Sequence, residues 1–255
     1  MNKIKVLLLA TDCELTTILY DGLKNDFVVE KVIIEKAQKK KDILLRRIKG
    51  LGLIRVIGQI LFLFFNKFLM FFSKKRISEI KCDNKFYSAS IDSSVVLNVD
   101  SVNNDETLSY LKKSDADVVV VNGTRIIKKD ILNLIDKPFI NMHVGVTPKY
   151  RGVHGAYWAL VNNDFENCGV TVHLIDAGID TGGVLHQDTI TVTKADNFNT
   201  YPYLQVFAAL PLMKKAIYET SNKVFNIKDN YLESQLWSHP TLFEYLKYRI
   251  FSGVK

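Results

Sequence analysis

The chain has 255 residues, 47% hydrophobic and 24% charged, enough to bury the core of one large domain and too apolar for a disordered segment. Its formal net charge of +7 is unevenly placed: residues 36–76 hold twelve Lys or Arg against one acid, Asp42, so the remainder carries −4. A basic groove for nucleic acid needs cations spread over the fold or interleaved with stacking aromatics near the site, and neither is present, so no nucleic-acid partner is expected.

In chain order, the N-terminus Met-Asn-Lys-Ile-Lys-Val-Leu-Leu-Leu-Ala has a short apolar run that Thr11, Asp12 and Glu14 cut off without a small-residue cleavage site. It reads as a first buried strand rather than a signal peptide. Further apolar runs follow at Phe27 to Ile34, Val95 to Val99, Val118 to Val121, Pro138 to Val144, Val170 to Ile175 and Val184 to Val192. Several are continuous rather than alternating, the mark of strands covered on both faces. Helices are expected at Glu14 to Asn25, Glu106 to Lys113, Lys128 to Leu134, Gly155 to Asn162, Tyr203 to Thr220 and Leu242 to Phe251. The expected fold is therefore α/β, a Rossmann-like mostly parallel sheet with helices on both faces. Residues 1–198 would form the main domain and 199–255 a small C-terminal helical extension. The first turn, Ala10-Thr-Asp-Cys-Glu-Leu-Thr, lacks glycine, so neither a dinucleotide fingerprint nor a phosphate-binding Gly-rich loop is present there. Cys13, Cys82 and Cys168 lie far apart with no Cys-x-x-Cys pair, which argues against a disulfide framework or a zinc site and fits a reducing cytoplasm.

Within Pro-Phe-Ile-Asn-Met-His-Val-Gly-Val-Thr-Pro, Asn141 and His143 are two apart, and a strand projects such residues into the same space. Asp180 ends a second apolar stretch, in Ile-Asp-Ala-Gly-Ile-Asp-Thr-Gly-Gly, where glycines permit a turn tight enough to deliver a carboxylate to the same cleft. Taken singly, these residues suit a turn cap, a satisfied buried histidine and a turn. Together they make a proton-transfer site with an amide donor for a carbonyl oxygen and no nucleophile.

Several further segments stand in order around this trio: Val121-Asn-Gly-Thr-Arg-Ile-Ile, Asn141-Met-His143, Pro148-Lys-Tyr-Arg-Gly152, Tyr157-Trp-Ala-Leu, and Gly169-Val-Thr-Val-His-Leu-Ile-Asp-Ala-Gly-Ile-Asp180-Thr-Gly-Gly. From Asp117 to Val192 the chain resembles the formyltransferases that use N10-formyltetrahydrofolate. The resemblance implies direct attack of a primary amine on the formyl carbon, with no covalent enzyme intermediate and no metal. Asn141 would bond the formyl oxygen, His143 would move protons, and Asp180 would orient His143 or relay its proton. Gly123, Thr124, Arg125, Ile126 and Ile127 look like the wall of the pterin pocket, and Ile175, Asp176, Ala177 and Gly178 like the loop closing over it. The departures narrow the amine. A turn at Thr11 to Leu15 replaces the phosphate loop of purine-pathway members, and the segment after Val192 is small for the C-terminal barrel of initiator methionyl-tRNA enzymes. The chain is thus most similar to the sugar N-formyltransferases, which modify a nucleotide-linked amino sugar for surface polysaccharide. Arg151, His154, Tyr157 and Trp158 would contact that substrate. The alternatives are phosphoribosylglycinamide, methionyl-tRNA or a lipid-linked amino sugar.

A basic, apolar helical insert is expected at about 36–80. Its Leu51 to Phe72 stretch is dominated by Ile, Leu and Phe, with flanking cations at Lys39 to Lys41, Arg46-Arg47 and Lys74 to Arg76. Its length permits a bilayer span, but Arg55 and Lys67 each oppose insertion by ~3 kcal/mol. Two readings follow: a helical hairpin covering the sheet or forming a homodimer contact, and an interfacial helix on anionic lipid at the inner membrane face. Asp180-Thr-Gly also matches the aspartic-protease tripeptide. Those enzymes need two carboxylates sharing a proton across a β-rich fold, which an α/β pattern with one Asp-Thr-Gly does not supply. A silent binding protein of the same fold is a further alternative.

Overall fold

A computed structural model describes residues 3–87, 90–228 and 231–255. The elements run β1 (Lys5–Thr11), α1 (Glu14–Leu23), β2 (Val28–Glu35), α2 (Lys40–Leu51), α3 (Leu53–Asp83), β3 (Val96–Val99), α4 (Asp105–Lys113), β4 (Val118–Asn122) and α5 (Lys129–Leu134). The second half holds β5 (Phe139–His143), β6 (Arg151–Gly152), α6 (Gly155–Val161), β7 (Gly169–Leu174), β8 (Val184–Thr189), α7 (Tyr201–Ser221), β9 (Leu236–Trp237) and α8 (Leu242–Phe251).

The main sheet has seven strands in the order β3-β2-β1-β4-β5-β7-β8. Its first five strands pair in parallel, and β7 and β8 join antiparallel. Side chains alternate through it, as a pleated strand requires. Val6, Leu8, Val118, Val120, Ile140 and Val172 meet Ile18 and Leu19 of α1 and Val206, Ala209 and Met213 of α7 on one face. Leu7, Leu9, Ile33, Val119, Val121 and Phe139 meet Leu111 of α4 and Ile131 of α5 on the other. Both faces are covered, which is why these strands read as uninterrupted Val, Ile and Leu. The fold is the expected α/β sheet with helices on both sides.

Two differences from the sequence reading concern the periphery. Segment 199–255 is not one extension: α7 is a full structural layer, with Val206, Ala209, Met213, Ala216 and Ile217 completely buried against the sheet. Only the part after α7 lies outside that layer, with β9 pairing with β6 in a separate two-stranded ribbon. The insert is helical, but α3 packs against α2, α7 and α8. It does not cover the sheet. A third apolar cluster, containing Phe62 of α3, Tyr157 and Trp158 of α6, Phe198 and Tyr245 of α8, fills the space between these helices.

Candidate active site

Strand order reverses between β1 and β4, and the carboxyl ends of β1, β4 and β5 open onto one cleft of about 480 Å³. Open α/β sheets bind ligands at such a switch point. Thr11 and Asn122 mark its floor. Thr16 Oγ1 donates to the Thr11 carbonyl at 2.7 Å, and Asn122 Nδ2 donates to Thr16 Oγ1 at 3.1 Å.

Asn141, His143 and Asp180 come together in this cleft. In the antiparallel register of β5 and β7, Asn141 lies opposite His173 and His143 opposite Thr171. His173 is buried and aligns Asn141. Its Nδ1 lies 2.6 Å from the Leu174 carbonyl and donates to it, which leaves Nε2, in the neutral ring, to accept from Asn141 Nδ2 at 3.1 Å. That bond assigns the amide nitrogen, and hence an N–H donor, to the cleft side of Asn141. Sequence reasoning gave His173 no role. The available signal was its spacing of two from Thr171 on an apolar strand.

His143 is 5% exposed. Its Nε2 lies 2.7 Å from the Tyr150 carbonyl, an acceptor only, so Nε2 carries the hydrogen. The titrating atom is therefore Nδ1, 3.4 Å from Asp180 Oδ1. Burial pushes the His143 pKa below the ordinary imidazole value, against the opposing pull of the Asp180 carboxylate. Asp180 shows the reverse balance. Its own burial opposes ionisation, but the neighbouring His173 and His143 rings and the Gly152 amide hold its pKa below the usual carboxylate range. Gly152 N–H donates to Asp180 Oδ2 at 2.9 Å, and Asp180 itself is held in the left-handed region at φ 51°. Backbone strain of this kind is retained where the surroundings over-determine it. Gly145 is a steric requirement of the same site. A Cβ there would sit 2.4 Å from the Tyr150 carbonyl and 2.8 Å from His143 Nε2, breaking the bond that fixes the ring.

Gly123, Thr124, Arg125, Ile126 and Ile127 line the cleft in a segment outside helix and strand, so their backbone edges are not committed to a ladder. The Arg125 guanidinium instead bonds Glu35, with Nε 2.6 Å from Glu35 Oε2, and donates to the Lys36 and Asp100 carbonyls. Glu35 is 4% exposed at the end of an apolar strand, and it also accepts from the Arg125 and Val102 amides. An acid closing an apolar strand is a signal of such a buried role visible in the sequence. Ile175, Asp176 and Gly178 line the opposite wall, while Ala177 is exposed and is not part of it. Asp176 Oδ1 accepts from Gly178 N–H and Thr181 Oγ1, which closes the loop that presents Asp180.

The expected substrate contacts divide. His154 lines the cleft, together with Gly152 and Val153. Arg151 is half-buried beside it on β6 and is not in the lining. Tyr157 and Trp158 are placed differently from expectation: they are 1% and 4% exposed. Tyr157 stacks against Tyr245 and meets Phe198 edge-on, and Trp158 stacks on Trp237 and donates to the Ser238 carbonyl. Every residue of α6 is buried, so these aromatics serve the core.

His154 Nε2 lies 2.8 Å from His239 Nδ1. Burial pushes both imidazoles down, His154 well below its ordinary value and His239 to about 4. An unfolded histidine takes its proton near 6.5, whereas folded His239 stays neutral until about 4. Folding stability contributed here is full above 6.5 and falls as the pH drops toward 4, by roughly 3 kcal/mol for His239. Urea unfolding across this interval is expected to show the decline, and His239→Gln should flatten it. An equally steep decline in the variant would contradict the assignment.

A cleft at the sheet's switch point, with an amide, a neutral imidazole and an ionised carboxylate converging on it, defines an enzyme-type site for acyl-level proton and charge management. The chain belongs to the formyl transferase family, whose model matches residues 71–203. A methionyl-tRNA formyltransferase of Caldanaerobacter subterraneus subsp. tengcongensis is 38% identical over 107 residues, 41% of this chain and 34% of that relative. The chain thus aligns with about a third of that relative's length. An N-formyltransferase from Helicobacter canadensis, solved in complex with folinic acid and dTDP-3-aminofucose, shares the fold at TM-score 0.55 and 19% identity, over 92% of this chain and 71% of that one. A glycinamide ribonucleotide transformylase from Symbiobacterium toebii does so at TM-score 0.56 and 16% identity, over 92% and 95%.

Proposed function

We propose that this chain transfers a formyl group from N10-formyltetrahydrofolate to the primary amine of a nucleotide-linked amino sugar for surface polysaccharide. The observation carrying this reading is the His143 ring. Tyr150 pins its Nε2–H, so the Nδ1 lone pair is the proton acceptor, beside an ionised Asp180 and in the same cleft as the Asn141 amide. The cleft suits a flat, amide-edged ring system. Val121, Ile127, Ile175 and Ile179 give apolar walls, and segment 123–127 lines one side outside any strand ladder. Residues 123–127 with Ile175, Asp176 and Gly178 would hold the donor, which supplies the formyl carbon when bound.

The chain's own groups then divide the work. Asn141 presents an N–H toward the carbonyl oxygen as negative charge gathers there. His143 Nδ1 accepts the proton that the attacking amine must lose and can return it to the donor's nitrogen as the old formyl carbon–nitrogen bond breaks. Asp180 offsets the imidazolium charge that results and holds the ring through a contact that tightens on protonation. Because His143 must be neutral to accept, activity is expected to fall on the acid side as pH drops through a pKa below the ordinary imidazole value. Asp180 raises that pKa, so Asp180→Asn should move the acid limb to lower pH and lower kcat by about tenfold. An acid limb moving upward would contradict the pairing, and a pH–kcat profile reads it out.

A sugar substrate is favoured over a phosphoribosyl one by the first turn. Helix α1 carries Glu14 in its first turn, bonded to Lys81 and Tyr203. A carboxylate there opposes phosphate at that helix N-terminus. The second reading, an aminoacyl-tRNA amine, is favoured by the methionyl-tRNA formyltransferase relative. Incubation with formyl-tetrahydrofolate and a panel of nucleotide-linked amino sugars, phosphoribosylglycinamide and methionyl-tRNA separates them by mass of product. Formylation of an amino sugar is expected. Turnover of methionyl-tRNA or phosphoribosylglycinamide alone would overturn the sugar assignment.

A further inference from the structure

Helix α3 is long and apolar enough, by length and composition alone, to cross a bilayer, yet only 22% of its apolar window is buried. It is apolar on both sides. The side facing the body buries Val56, Phe62, Ile77 and Ile80 and also carries polar groups that find partners there: Gln59 Nε2 donates to the His239 carbonyl at 2.7 Å, Asn66 and Asn199 exchange hydrogen bonds at 2.9 and 3.0 Å, Ser73 Oγ donates to Asn197 Oδ1 at 3.0 Å, and Arg76 Nε to Asp196 Oδ1 at 2.8 Å. The outward stripe, Ile54, Ile57, Leu61, Phe64, Phe68 and Phe71, recurs at spacings of three and four, and Ile54, Phe64 and Phe71 are 88%, 66% and 68% exposed. A helix solvated by water on its outer side is polar there. Helix α8 extends the surface with exposed Phe243, Ile250 and Phe251, and between the helices runs an open apolar groove of about 1000 Å³ lined by Leu53, Leu61, Leu242 and Leu246. A continuous apolar surface of this breadth marks an interaction site.

The charge around it selects the occupant. Lys39, Lys40, Lys41, Arg46, Lys49, Lys67, Lys74 and Lys75 are all exposed. Lys67 Nζ lies 5.6 Å from the Phe64 ring centre and Lys74 Nζ 5.4 Å from that of Phe71, so the amine stems run along the apolar stripe. That is the geometry of cations snorkelling from an apolar phase to charged headgroups. A second copy of this chain fits poorly, because an isologous contact would set the same cationic segment, +11 over residues 36–76, against itself.

We propose that the outer face of α3 and α8 seats on an anionic lipid bilayer, with α3 lying in the headgroup region. Crossing is opposed because the inner face of the helix is bonded to the body at four positions. The seat is close to the cleft: Gln59 holds the His239 carbonyl, and His239 bonds His154, which lines the cleft. Docking would set that wall of the cleft two side chains from the lipid.

Flotation of the full chain with vesicles tests this, using a phosphatidylcholine–phosphatidylglycerol mixture, phosphatidylcholine alone, and raised salt, beside light scattering in lipid-free buffer. Wild-type protein is expected to float with the mixed vesicles, and raised salt or neutral vesicles should weaken it. Combined Lys67→Gln, Lys74→Gln and Lys75→Gln should weaken binding to mixed vesicles on the order of a hundredfold. Combined Phe64→Ser, Phe68→Ser and Phe71→Ser, which removes only exposed side chains, should abolish flotation with circular dichroism unchanged. Wild-type protein left at the bottom of the gradient would overturn the proposal. So would a stable lipid-free dimer that the Phe variant converts to monomer, or a Phe variant that floats as wild type. Flotation reads no formyl transfer, so its failure and that of the assigned reaction are distinguishable.

Discussion

His143→Ala is expected to lower kcat by about a thousandfold while leaving the affinity for a folate analogue within a few-fold of wild type. The asymmetry follows from geometry. His143 is largely buried in the cleft lining, its Nε2 is spent on the Tyr150 carbonyl, and Nδ1 is the atom left to take a proton. The acid limb of the pH–kcat profile should vanish with the ring, because the group that titrates has been removed. Single-turnover kinetics with saturating donor would separate this from a binding defect. A variant with kcat near wild type, or one whose loss lies wholly in donor affinity, would show that the proton leaves the amine by another route.

Much of this site could be read in the sequence because its key relation is local. Asn141 and His143 share a strand at a spacing of two, and the apolar residues around them identify that strand. The central sheet was legible for the same reason: runs such as Val118 to Val121 are buried on both faces and carry no polar positions. What failed was long-range. His173 reaches Asn141 only through the antiparallel register of β5 and β7, which no periodicity encodes. Tyr157 and Trp158 follow a cleft segment in sequence, but a fully buried helix gives no phase by which to decide which side chains see the cleft. Gln59, Asn66 and Ser73 read as interruptions of an apolar helix. Only their partners, His239, Asn199 and Asn197, reveal that these polar positions face the body, beside the buried Phe62 and Ile77, while a second apolar stripe faces out.

Asn141→Ala is expected to cost a factor of about 10² to 10³ in kcat, with KM for both substrates little changed. The amide N–H is aligned before substrate arrives, since His173 Nε2 accepts from it and His173 is itself fixed by the Leu174 carbonyl. A donor held in place costs no reorganisation when charge develops on the carbonyl oxygen, so its removal falls on the transition state rather than on binding. His173→Phe separates donor from alignment. It keeps the Asn141 amide but removes the acceptor that aims it, so kcat should fall by less than in Asn141→Ala, and the double variant should lose little beyond Asn141→Ala alone. Fully multiplicative losses in that cycle would mean that His173 acts independently of Asn141, through Asp180, whose Oδ1 lies 3.7 Å from His173 Nε2.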